Sequence, residues 1–433
     1  MKDVRVGICG LGTVGGGTFN VLNRNASLIE GRAGCTIRIG RVASRRQNDR
    51  IELGDIPFSN DIFDVVNDPD IDVVVELIGG YDVARELVLA AIENGKHVVT
   101  ANKALIAVHG NEIFEAAEKK GVIVAYEAGV AGGIPVIKAI REGLVANRID
   151  WIAGIINGTG NFILTEMNAG REFSDVLKQA QELGYAEADP TFDVEGIDAA
   201  HKLTILASAG FGVPLQFERA YTEGISKVTP YDIKHAEMLG YRIKHLGIAR
   251  RREGGIELRV HPTLVPKELL IAQVDGVLNA VLVDGDAVGQ TMYYGAGAGD
   301  EATASAVIAD IVDVARAVSH GSTQRVPYLG FEPSALEDLP VLPVEDIYSA
   351  YYLRMQAEDH PGVLAKISSV LSEHGINIES VVQKESELSN GKIPVIMLTH
   401  TVQERQMNQA IAELEALADI DGPVVRIRAE NFS

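Results

Sequence analysis

The chain has 433 residues, of which 46% are hydrophobic and 23% charged, and its formal net charge is -21 at pH 7. This length exceeds what one hydrophobic core organises, so two or three domains are expected. The acidic balance argues against nucleic acid as the main partner, because phosphate backbones select basic surfaces. No apolar run is long enough to span a bilayer, and the first residues lead into a strand without a signal peptide. The sequence therefore predicts a soluble cytoplasmic protein with no membrane partner.

The first part of the chain, residues 1–130, predicts an α/β Rossmann dinucleotide-binding domain. Short apolar segments typical of strands alternate there with helical periodicity. Strands are predicted at residues 4–9, 36–43, 72–76, 97–100 and 122–126, and helices at residues such as 83–93 and 112–119. This alternation specifies a parallel sheet with helices on both faces.

A glycine motif follows the first predicted strand, in the segment Gly10-Leu-Gly12-Thr13-Val14-Gly15. Gly10 permits a tight turn, and Gly12 lets the backbone approach a pyrophosphate. Gly15 allows the helix and the strand to pack closely. Since the N–H groups at the start of the helix, from Thr13 and Val14 onward, favour phosphate, the motif predicts a dinucleotide site.

The residues after the second predicted strand indicate whether NAD(H) or NADP(H) is preferred. NAD-specific proteins usually carry an acidic residue there for the ribose 2′-hydroxyl, whereas this chain has Ser44-Arg45-Arg46. The guanidinium groups of Arg45 and Arg46 suit a 2′-phosphate, which predicts NADP(H) in preference to NAD(H). A solvated basic turn without a ligand is the alternative.

The middle of the chain, residues 131–300, predicts an α+β domain for substrate binding and dimerisation. Helix-like stretches at 160–184 and 198–210 precede strand-like stretches at 257–263, 277–283 and 287–293. Helices segregated from strands favour a sheet covered by helices on one face. A glycine-rich segment then ends at Gly299, and a helix within residues 300–320 is expected to return to the first domain.

A proline-rich linker at 321–347 precedes a compact C-terminal unit at 348–433. Its order of elements is strand, helix, strand, hairpin, strand, helix and strand, which is the ferredoxin-like βαββαβ plan. The predicted bounds are 351–358, 361–374, 376–384, a hairpin loop at Asn390-Gly391, 394–401, 403–418 and 423–428. Because the linker separates two complete patterns, we expect that this unit can be removed without cutting a core.

Polar residues near the predicted strand ends are candidates for chemistry. Lys103 follows the strand at 97–100, and Asp198 and Lys202 lie four residues apart on one helix face. Taken alone, Lys103 is an ordinary surface lysine. The Asp198–Lys202 spacing is equally that of an exposed salt bridge worth a few tenths of a kcal/mol, roughly.

The segment from Ala180 to Lys202 reads Ala-x3-Gly-Tyr-Ala-x2-Asp-Pro-x2-Asp-Val-x-Gly-x-Asp-x3-Lys. It resembles the signature of the homoserine dehydrogenase family throughout. The glycine motif and three further segments also look like that family and occur in the same order. These three segments are 100–103, 127–135 and 157–159, and the resemblance covers residues 1 to about 330.

The resemblance implies hydride transfer from NAD(P)H to aspartate 4-semialdehyde, giving homoserine for threonine, methionine and isoleucine synthesis. It implies that Lys202 donates the proton to the developing alkoxide and that Lys103 lies near the nicotinamide and the substrate carbonyl. This agrees with the physical need for a donor preorganised at that oxygen. The implied substrate residues are Glu187, Asp193, Asp198, Tyr185, Gly158 and Thr159, and further cofactor contacts are Thr100, Lys103 and Gly299.

The family also carries a monovalent cation site made of a glutamate and backbone carbonyls. The matching positions are Glu127, Val130, Gly132 and Ile134. Oxygen ligands suit a hard cation such as Na⁺ or K⁺. The alternative is a glycine-rich turn between domains in which Glu127 serves as a cap.

The C-terminal unit resembles an ACT domain, with Asp359-His-Pro-Gly362 after its first strand and Asn377 at the start of its second. Such modules pair between subunits and bind amino acids at the interface. The resemblance implies threonine as an allosteric effector, Gly362 and Asn377 as regulatory residues, and a homo-oligomer, either a dimer or a tetramer. A dimerisation module that has lost its ligand is the alternative.

Two rival functions stay open. One is a related dehydrogenase that acts on aspartate itself, against which the complete 180–202 signature argues. The other is a catalytically inactive amino-acid sensor built from a degenerate dehydrogenase and the ACT module. That sensor predicts loss of Lys103 or Lys202, and both lysines are present.

Overall fold

The computed structural model describes residues 3–321, 326–383 and 392–432, and its first domain is built on one parallel sheet. The strands lie in the order β3-β2-β1-β4-β5-β6 and all their pairings are parallel. The predicted Rossmann plan is therefore confirmed. The elements are β1 (Asp3–Cys9), α1 (Thr13–Arg24), α2 (Ala26–Ala33), β2 (Thr36–Ala43), β3 (Phe58–Ser59), α3 (Phe63–Asn67), β4 (Val73–Glu76), α4 (Asp82–Glu93), β5 (His97–Thr100), α5 (Lys103–Lys120) and β6 (Val124–Ala125).

The valine-rich strands of this sheet are buried on both faces. In β4, Val74 belongs to the cluster that contains Leu87 of α4, while Val73 and Val75 belong to a second cluster on the opposite face. Successive side chains of a strand point to opposite faces, so only a strand covered by helices on both sides can be apolar throughout. The carboxyl ends of β1, β2, β4 and β5 then meet at one edge, where the glycine motif and Lys103 lie.

The middle domain contains a mixed sheet covered by helices. Its five main strands lie in the order β12-β11-β7-β9-β10, with antiparallel pairing between neighbours. The elements are α6 (Val136–Lys138), β7 (Ile149–Ile155), α7 (Gly158–Asn168), α8 (Phe173–Glu182), α9 (Thr191–Val194), α10 (Ile197–Phe211), β8 (Tyr221–Thr222), α11 (Pro230–Met238), β9 (Tyr241–Arg252), β10 (Gly255–Pro266), β11 (Leu278–Gly285) and β12 (Gly289–Ala296).

The α+β class is confirmed, but the structure adds two long strands, β7 and β9, and the two-residue strand β8, which the sequence did not predict. Both β7 and β9 are central, and polar or glycine positions such as Lys244, His245 and Gly247 interrupt the apolar pattern of β9. The predicted helical stretch 160–184 is in fact two helices. Gly170, with a φ of +90°, separates them, because that backbone conformation ends a helix and favours glycine.

A long helix, α12 (Asp300–His320), follows β12 and packs on the first domain as expected. Its first turn lies against α1, where a Cβ on Gly17 would stand 2.5 Å from the carbonyl oxygen of Asp300. Glycine at that position therefore permits the close approach of the two helices. Arg24 and Glu301 form an ion pair of 2.7 Å beside the contact.

The C-terminal unit has the predicted ferredoxin-like topology. Its sheet has the order β17-β13-β15-β14, and its helices α13 and α14 cover one face. The predicted hairpin residues Asn390 and Gly391 lie outside the described residues. The elements are β13 (Tyr348–Glu358), α13 (Val363–Glu373), β14 (Ile378–Gln383), β15 (Lys392–Thr399), β16 (Val402–Gln403), α14 (Glu404–Glu415) and β17 (Ile420–Ala429).

The expectation that this unit can be removed without cutting a core is wrong. Strand β17 pairs in parallel with β10 at Thr263–Arg428 and Leu264–Ala429, which joins the two sheets into one of eleven strands. The second face of the C-terminal sheet packs on helices of the middle domain. That shared cluster contains Tyr352, Ile396, Leu398 and Ile427 together with Ile163, Leu164, Val176 and Ile233.

The proline-rich linker is also part of the fold. The hydroxyl of buried Tyr328 donates to the carbonyl of Val122 at 2.5 Å, and its ring stacks on Phe114. Further along, Val341 forms a bridge with Ile256 of β10. The linker therefore attaches to both of the preceding domains. Across the described parts of the chain, no helix combines the length and apolarity that a membrane span requires.

Candidate active site

One buried carboxylate, Asp198, lies at the centre of the candidate site. Its Oδ2 accepts hydrogen bonds from Lys202 Nζ at 2.6 Å and from Asn157 Nδ2 at 2.8 Å. Its Oδ1 lies 3.1 Å from Lys103 Nζ. Lys103 starts α5 at the edge of the Rossmann sheet, whereas Asp198 and Lys202 lie on α10 of the middle domain, so the cluster forms where the two domains meet.

Burial distinguishes this cluster from an exposed salt bridge. The side chains of Asp198 and Lys202 are 5% and 12% exposed, whereas that of Lys103 is 34% exposed. Lys202 also donates to the carbonyl oxygen of Ile156 at 2.8 Å. Since an ammonium group has three N–H donors, one donor of Lys202 is left after its two fixed acceptors. The surface-pair interpretation of Asp198 and Lys202 is therefore wrong.

The two lysines differ in electrostatic environment. Burial lowers the pKa of Lys202, and the nearby positive charge of Lys103 adds to this effect. The negative charge of Asp198 raises the pKa of Lys103, which outweighs its burial. Burial would raise the pKa of Asp198, but the charges of Lys202 and Lys103 hold it well below its usual range. Asp198 is thus a fixed negative charge between two lysines of unequal acidity.

Asn157 was not among the candidate site residues, although it starts the 157–159 segment that resembles the family, and it joins both acids of the site. Its side-chain N–H groups donate to Asp198 and to Asp193 Oδ1, each at 2.8 Å. Its side-chain oxygen accepts from the N–H of Gly160 and so caps α7. Burial raises the pKa of Asp193, which lies in the short helix α9. The signals in the sequence were its place in the 157–159 segment and an asparagine shortly before a predicted helix.

The remaining substrate candidates lie in the first turn of α7 and in the loop between α8 and α9. Thr159 donates its hydroxyl to the carbonyl of Tyr185 at 2.6 Å, and the exposed ring of Tyr185 contacts Phe162. Gly158 is the first residue of α7. Glu187 is exposed, and its carboxylate makes no hydrogen bond or ion pair within the described residues. The structure therefore brings Asp193 and Asp198 together with the lysines but leaves Glu187 apart from them.

An aromatic group that the sequence did not indicate lies beside the lysines. His201 is fully buried and stacks on Phe217 at a centroid distance of 4.0 Å. Its Nε2 is 3.3 Å from the hydroxyl of Tyr81, which comes from the loop after β4. Burial lowers the pKa of His201 to about 4. The Tyr81–His201 contact is a second link between the two domains.

The glycine motif has the geometry that a dinucleotide requires. Gly10 has a φ of +102°, and a Cβ there would stand 2.6 Å from the carbonyl oxygen of Leu77. A Cβ on Gly15 would stand 1.9 Å from the carbonyl oxygen of Gly10, so only glycine allows this approach. Space is open above Gly12, and no side chain of the described residues caps the helix that starts at Thr13. The first-turn N–H groups, including that of Val14, therefore have no side-chain acceptor in that part of the chain.

Arg45 and Arg46 lie directly beyond β2, and both are exposed. Neither guanidinium group has a partner within the described residues, whereas neighbouring Ser44 accepts a hydrogen bond from the N–H of Leu11 at 3.3 Å. Thr100 is buried and donates its hydroxyl to Glu76 at 2.5 Å, which directs it toward the protein. Gly299, with a φ of +140°, precedes the first residue of α12.

The predicted cation loop is buried at the junction of the domains. Glu127 accepts hydrogen bonds from the N–H groups of Ile137 and Lys138 at 2.9 and 2.8 Å, so it does act as a cap. Its burial, with the charge of Asp310, raises the pKa of Glu127 to about 7. The carbonyl oxygens of Val130 and Gly132 accept no hydrogen bond from the described residues. The carbonyl of Ile134 accepts from Val136 at 2.8 Å. Free carbonyls and the remaining lone pairs of Glu127 fit a hard cation.

The two predicted regulatory residues lie at opposite ends of α13. Gly362 precedes the helix with a φ of +99°, and Asn377 follows its last turn. A helix of this length, 11 residues, is about 16 Å long. One chain therefore does not bring both residues to one small ligand.

Family comparisons agree with this three-part architecture. Residues 10–127 match the family model of the homoserine dehydrogenase NAD-binding domain, residues 135–312 match that of homoserine dehydrogenase, and residues 351–419 match that of the ACT domain. The fold and its domains thus define a dinucleotide-dependent oxidoreductase with a C-terminal ACT domain.

Relatives that match the whole length of the chain identify the family within this class of oxidoreductases. The chain is 68% identical to the homoserine dehydrogenase of Pseudomonas aeruginosa over 100% of both chains. A crystal structure of a homoserine dehydrogenase from Thiobacillus denitrificans has 61% identity and a TM-score of 0.95, covering 100% of this chain and 99% of that one. A hyperthermophilic archaeal homoserine dehydrogenase, solved in complex with NADPH, has 25% identity and a TM-score of 0.62, covering 72% and 98%. The chain belongs to the homoserine dehydrogenase family.

Proposed function

We propose that the protein reduces the aldehyde of aspartate 4-semialdehyde to homoserine, with NADPH as the preferred hydride donor. The observation that carries this proposal is the shared carboxylate of Asp198, which holds two lysines at the meeting point of the domains. Hydride addition to an aldehyde produces an alkoxide. A positioned ammonium group both stabilises that charge and supplies the proton.

In this proposal the nicotinamide supplies the hydride when the cofactor is bound, and the protein's residues handle the proton and the charge. Lys202 donates the proton, because burial lowers its pKa and one of its N–H groups is not engaged. Lys103, whose pKa is raised, stays protonated and polarises the carbonyl. Because the two pKa values shift in opposite directions, Lys202 serves as the general acid and Lys103 as the electrostatic stabiliser.

Substrate orientation follows from the acids around the lysines. Asn157 links Asp193 to Asp198 by donating a hydrogen bond to each of them, and the carboxylate of Asp193 suits the substrate ammonium. Glu187 is exposed at the rim, so it contributes only if the loop at 183–190 closes over bound substrate. Gly158, Thr159 and Tyr185 are assigned to substrate binding as well, and the hydroxyl of Thr159 is held by the carbonyl of Tyr185.

The cofactor preference rests on Arg45 and Arg46. Both guanidinium groups are exposed beyond β2, the position from which a 2′-phosphate is held in this type of fold. The archaeal relative solved with NADPH is consistent with this choice. The proposal keeps Thr100 and Gly299 as backbone contacts, because the hydroxyl of Thr100 is already donated to Glu76.

A monovalent cation, Na⁺ or K⁺, is proposed at Glu127, Val130, Gly132 and Ile134. The support is the pair of free carbonyls beside a buried carboxylate at the domain junction. There the ion would stabilise the loop that joins the Rossmann sheet to the middle domain. The ion takes no part in hydride transfer.

Threonine is proposed as the allosteric ligand of the ACT domain, in a homo-oligomer. Because Gly362 and Asn377 lie at opposite ends of α13, a ligand that contacts both requires two copies of the chain.

A series of contacts connects the ACT domain to the active site, and we propose that the effect of threonine binding passes along it. Arg428 of β17 forms an ion pair of 2.7 Å with Glu223, and the nearby N–H of Ile225 donates to Val194 beside Asp193. Cytoplasmic location remains a prediction from the sequence.

The deciding experiment measures NADPH oxidation by the purified full-length protein with aspartate semialdehyde and, separately, NADP⁺ reduction with aspartate, because aspartate can only donate a hydride. We expect turnover with the semialdehyde alone, and inhibition when threonine is added. Turnover with aspartate would favour the related amino-acid dehydrogenase. Threonine binding without turnover of either compound would favour the inactive sensor.

A further inference from the structure

We propose that Asn157 is a positioning residue of the reduction, which holds Asp198 and Asp193 in the arrangement that Lys202 needs. This inference rests on the proposed roles of Lys202 and Asp198. Its basis is geometric: one primary amide donates to both carboxylates, each at 2.8 Å.

The amide is itself fixed in place. Asn157 is 6% exposed, and its side-chain oxygen accepts the N–H of Gly160 at 2.7 Å at the start of α7. This bond determines which side-chain atom is the oxygen, so the amide nitrogen must face the two acids. Both N–H donors are then used, and Asn157 has no freedom to rotate without leaving a buried group unsatisfied.

The hydrogen bond from Asn157 also orients Asp198 relative to the proton donor, Lys202. Asn157 Nδ2 and Lys202 Nζ donate to the same oxygen, Oδ2, while Lys103 contacts Oδ1. Without the amide, the carboxylate would be free to turn toward either lysine. Two acids that face each other through Asn157 would also repel once the bridging donor is lost. The residue therefore sets both the direction of Asp198 and the spacing between Asp193 and Asp198.

Two substitutions separate positioning from capping. Asn157→Ser keeps a good helix cap, but its hydroxyl is too short to span both acids. Asn157→Asp keeps the shape and the cap but replaces the donors with negative charge. The other titratable groups that face the cluster are unchanged in both variants: Lys103 on α5, Asp193 on α9, His201 on α10 and Tyr81 on the loop after β4.

The matched control is Asn161, one turn further along α7. Its side-chain N–H groups donate to the carbonyls of Val274, Gly276 and Leu278 and to neither acid. Asn161→Asp should lower the melting temperature without changing the pH profile of kcat.

We expect Asn157→Ser to lose at least tenfold in kcat, with the KM for NADPH within twofold of the parent and little change in melting temperature. We expect Asn157→Asp to move the alkaline limb of the kcat profile upward by about one pH unit, because added negative charge favours the protonated form of Lys202. That limb should stay in place for Asn161→Asp.

The inference is overturned if Asn157→Ser keeps kcat within threefold of the parent. It is also overturned if Asn157→Asp shifts the limb no further than Asn161→Asp does. If Asn157→Asp does not fold, Asn157→Ser decides alone. Lys202→Met is run in parallel: an active Lys202→Met contradicts the proposed proton-donor role of Lys202, whereas an inactive one beside an active Asn157→Ser contradicts only the role of Asn157. No turnover of the semialdehyde by the parent enzyme would contradict the proposed function itself.

Discussion

Replacing Lys202 with methionine gives the sharpest test of the proposed chemistry. The substitution keeps the aliphatic stem in α10 and removes the ammonium group. That group lies 2.6 Å from Asp198 and 2.8 Å from the carbonyl of Ile156. Asp198 keeps Lys103 and Asn157 as partners, so the loss of folding stability should fall below the roughly 3–5 kcal/mol that follows when a buried charge loses all its pairing.

The expected kinetic effect is much larger. A positioned general acid contributes about 10²- to 10⁴-fold. Because Lys202 also offsets the developing alkoxide charge, we expect kcat to fall about 10³-fold, which equals roughly 4 kcal/mol in the barrier. The KM for NADPH should change little, since the ammonium group acts mainly in the transition state.

Lys244 provides a matched control within the same domain. Its side chain is 3% exposed, and its Nζ donates to the carbonyl of Val274 at 2.7 Å and to Asp275 at 2.9 Å. It is therefore a buried lysine that binds one carbonyl and one carboxylate, as Lys202 does, but away from the cluster. Lys244→Met should lower the free energy of unfolding and leave kcat within a fewfold range of the parent.

The assay is steady-state NADPH oxidation with aspartate semialdehyde, combined with urea unfolding of each variant. A Lys202→Met enzyme within tenfold of the parent, or about 1.4 kcal/mol in the barrier, would refute the proton-donor role. Equal losses of kcat in Lys202→Met and Lys244→Met would show that the effect reports on folding rather than chemistry.

Four further changes test other parts of the proposal. Replacing Arg45 and Arg46 together with alanine should raise the KM for NADPH at least tenfold and leave that for NADH nearly unchanged, as measured by initial rates with each cofactor. His201→Gln should reduce the acid sensitivity of the fold. The folded pKa of His201, about 4, lies below its unfolded value near 6.5, so its stabilising contribution is present above pH 6.5 and is lost as the pH falls toward 4. Urea titrations at pH 7 and pH 5 should show about 2 kcal/mol less loss in the variant than in the parent. Glu223→Gln should weaken threonine inhibition several-fold while basal kcat is kept, because the Arg428 contact to the middle domain is weakened; the measurement is the threonine concentration for half-inhibition. Truncation before Ile347 should give an unstable or insoluble chain rather than a desensitised enzyme, as judged by thermal unfolding, because it exposes the cluster shared by the two domains.

Control variants and contradicting results can be named for these changes. Arg50→Ala, in the same exposed loop as the two arginines, should leave both KM values unchanged. Equal losses for NADPH and NADH in the double variant would assign the arginines to the pyrophosphate or to structure. Glu337→Gln removes an exposed partner of Arg251 and should leave threonine inhibition intact. A stable truncated enzyme that is still inhibited by threonine would place the effector in the active site.

The sequence by itself determined the local chemistry. The glycine spacing from Gly10 to Gly15 requires a tight turn and a close strand–helix contact, and both are short-range consequences of missing side chains. The four-residue spacing of Asp198 and Lys202 likewise places both on one face of any helix they share. The alternation and order of strands and helices likewise predicted the Rossmann plan and the ferredoxin-like unit, whereas the catalytic roles of Lys103 and Lys202 were implied only by the resemblance to the homoserine dehydrogenase family.

Only the tertiary structure decided which groups meet across long separations. Lys103 reaches Asp198 over 95 positions of sequence because the domains dock, and periodicity carries no information about docking. The same holds for Asn157, whose capping role is local but whose contact to Asp193 is not. Strand β13 has one apolar face, on which Tyr351 packs against the ACT helices, while its other face carries Tyr352 and Arg354. That mixed face gives no clear signal of burial in the sequence, and only the folded chain supplied its cover, the middle domain, where Arg354 pairs with Asp232.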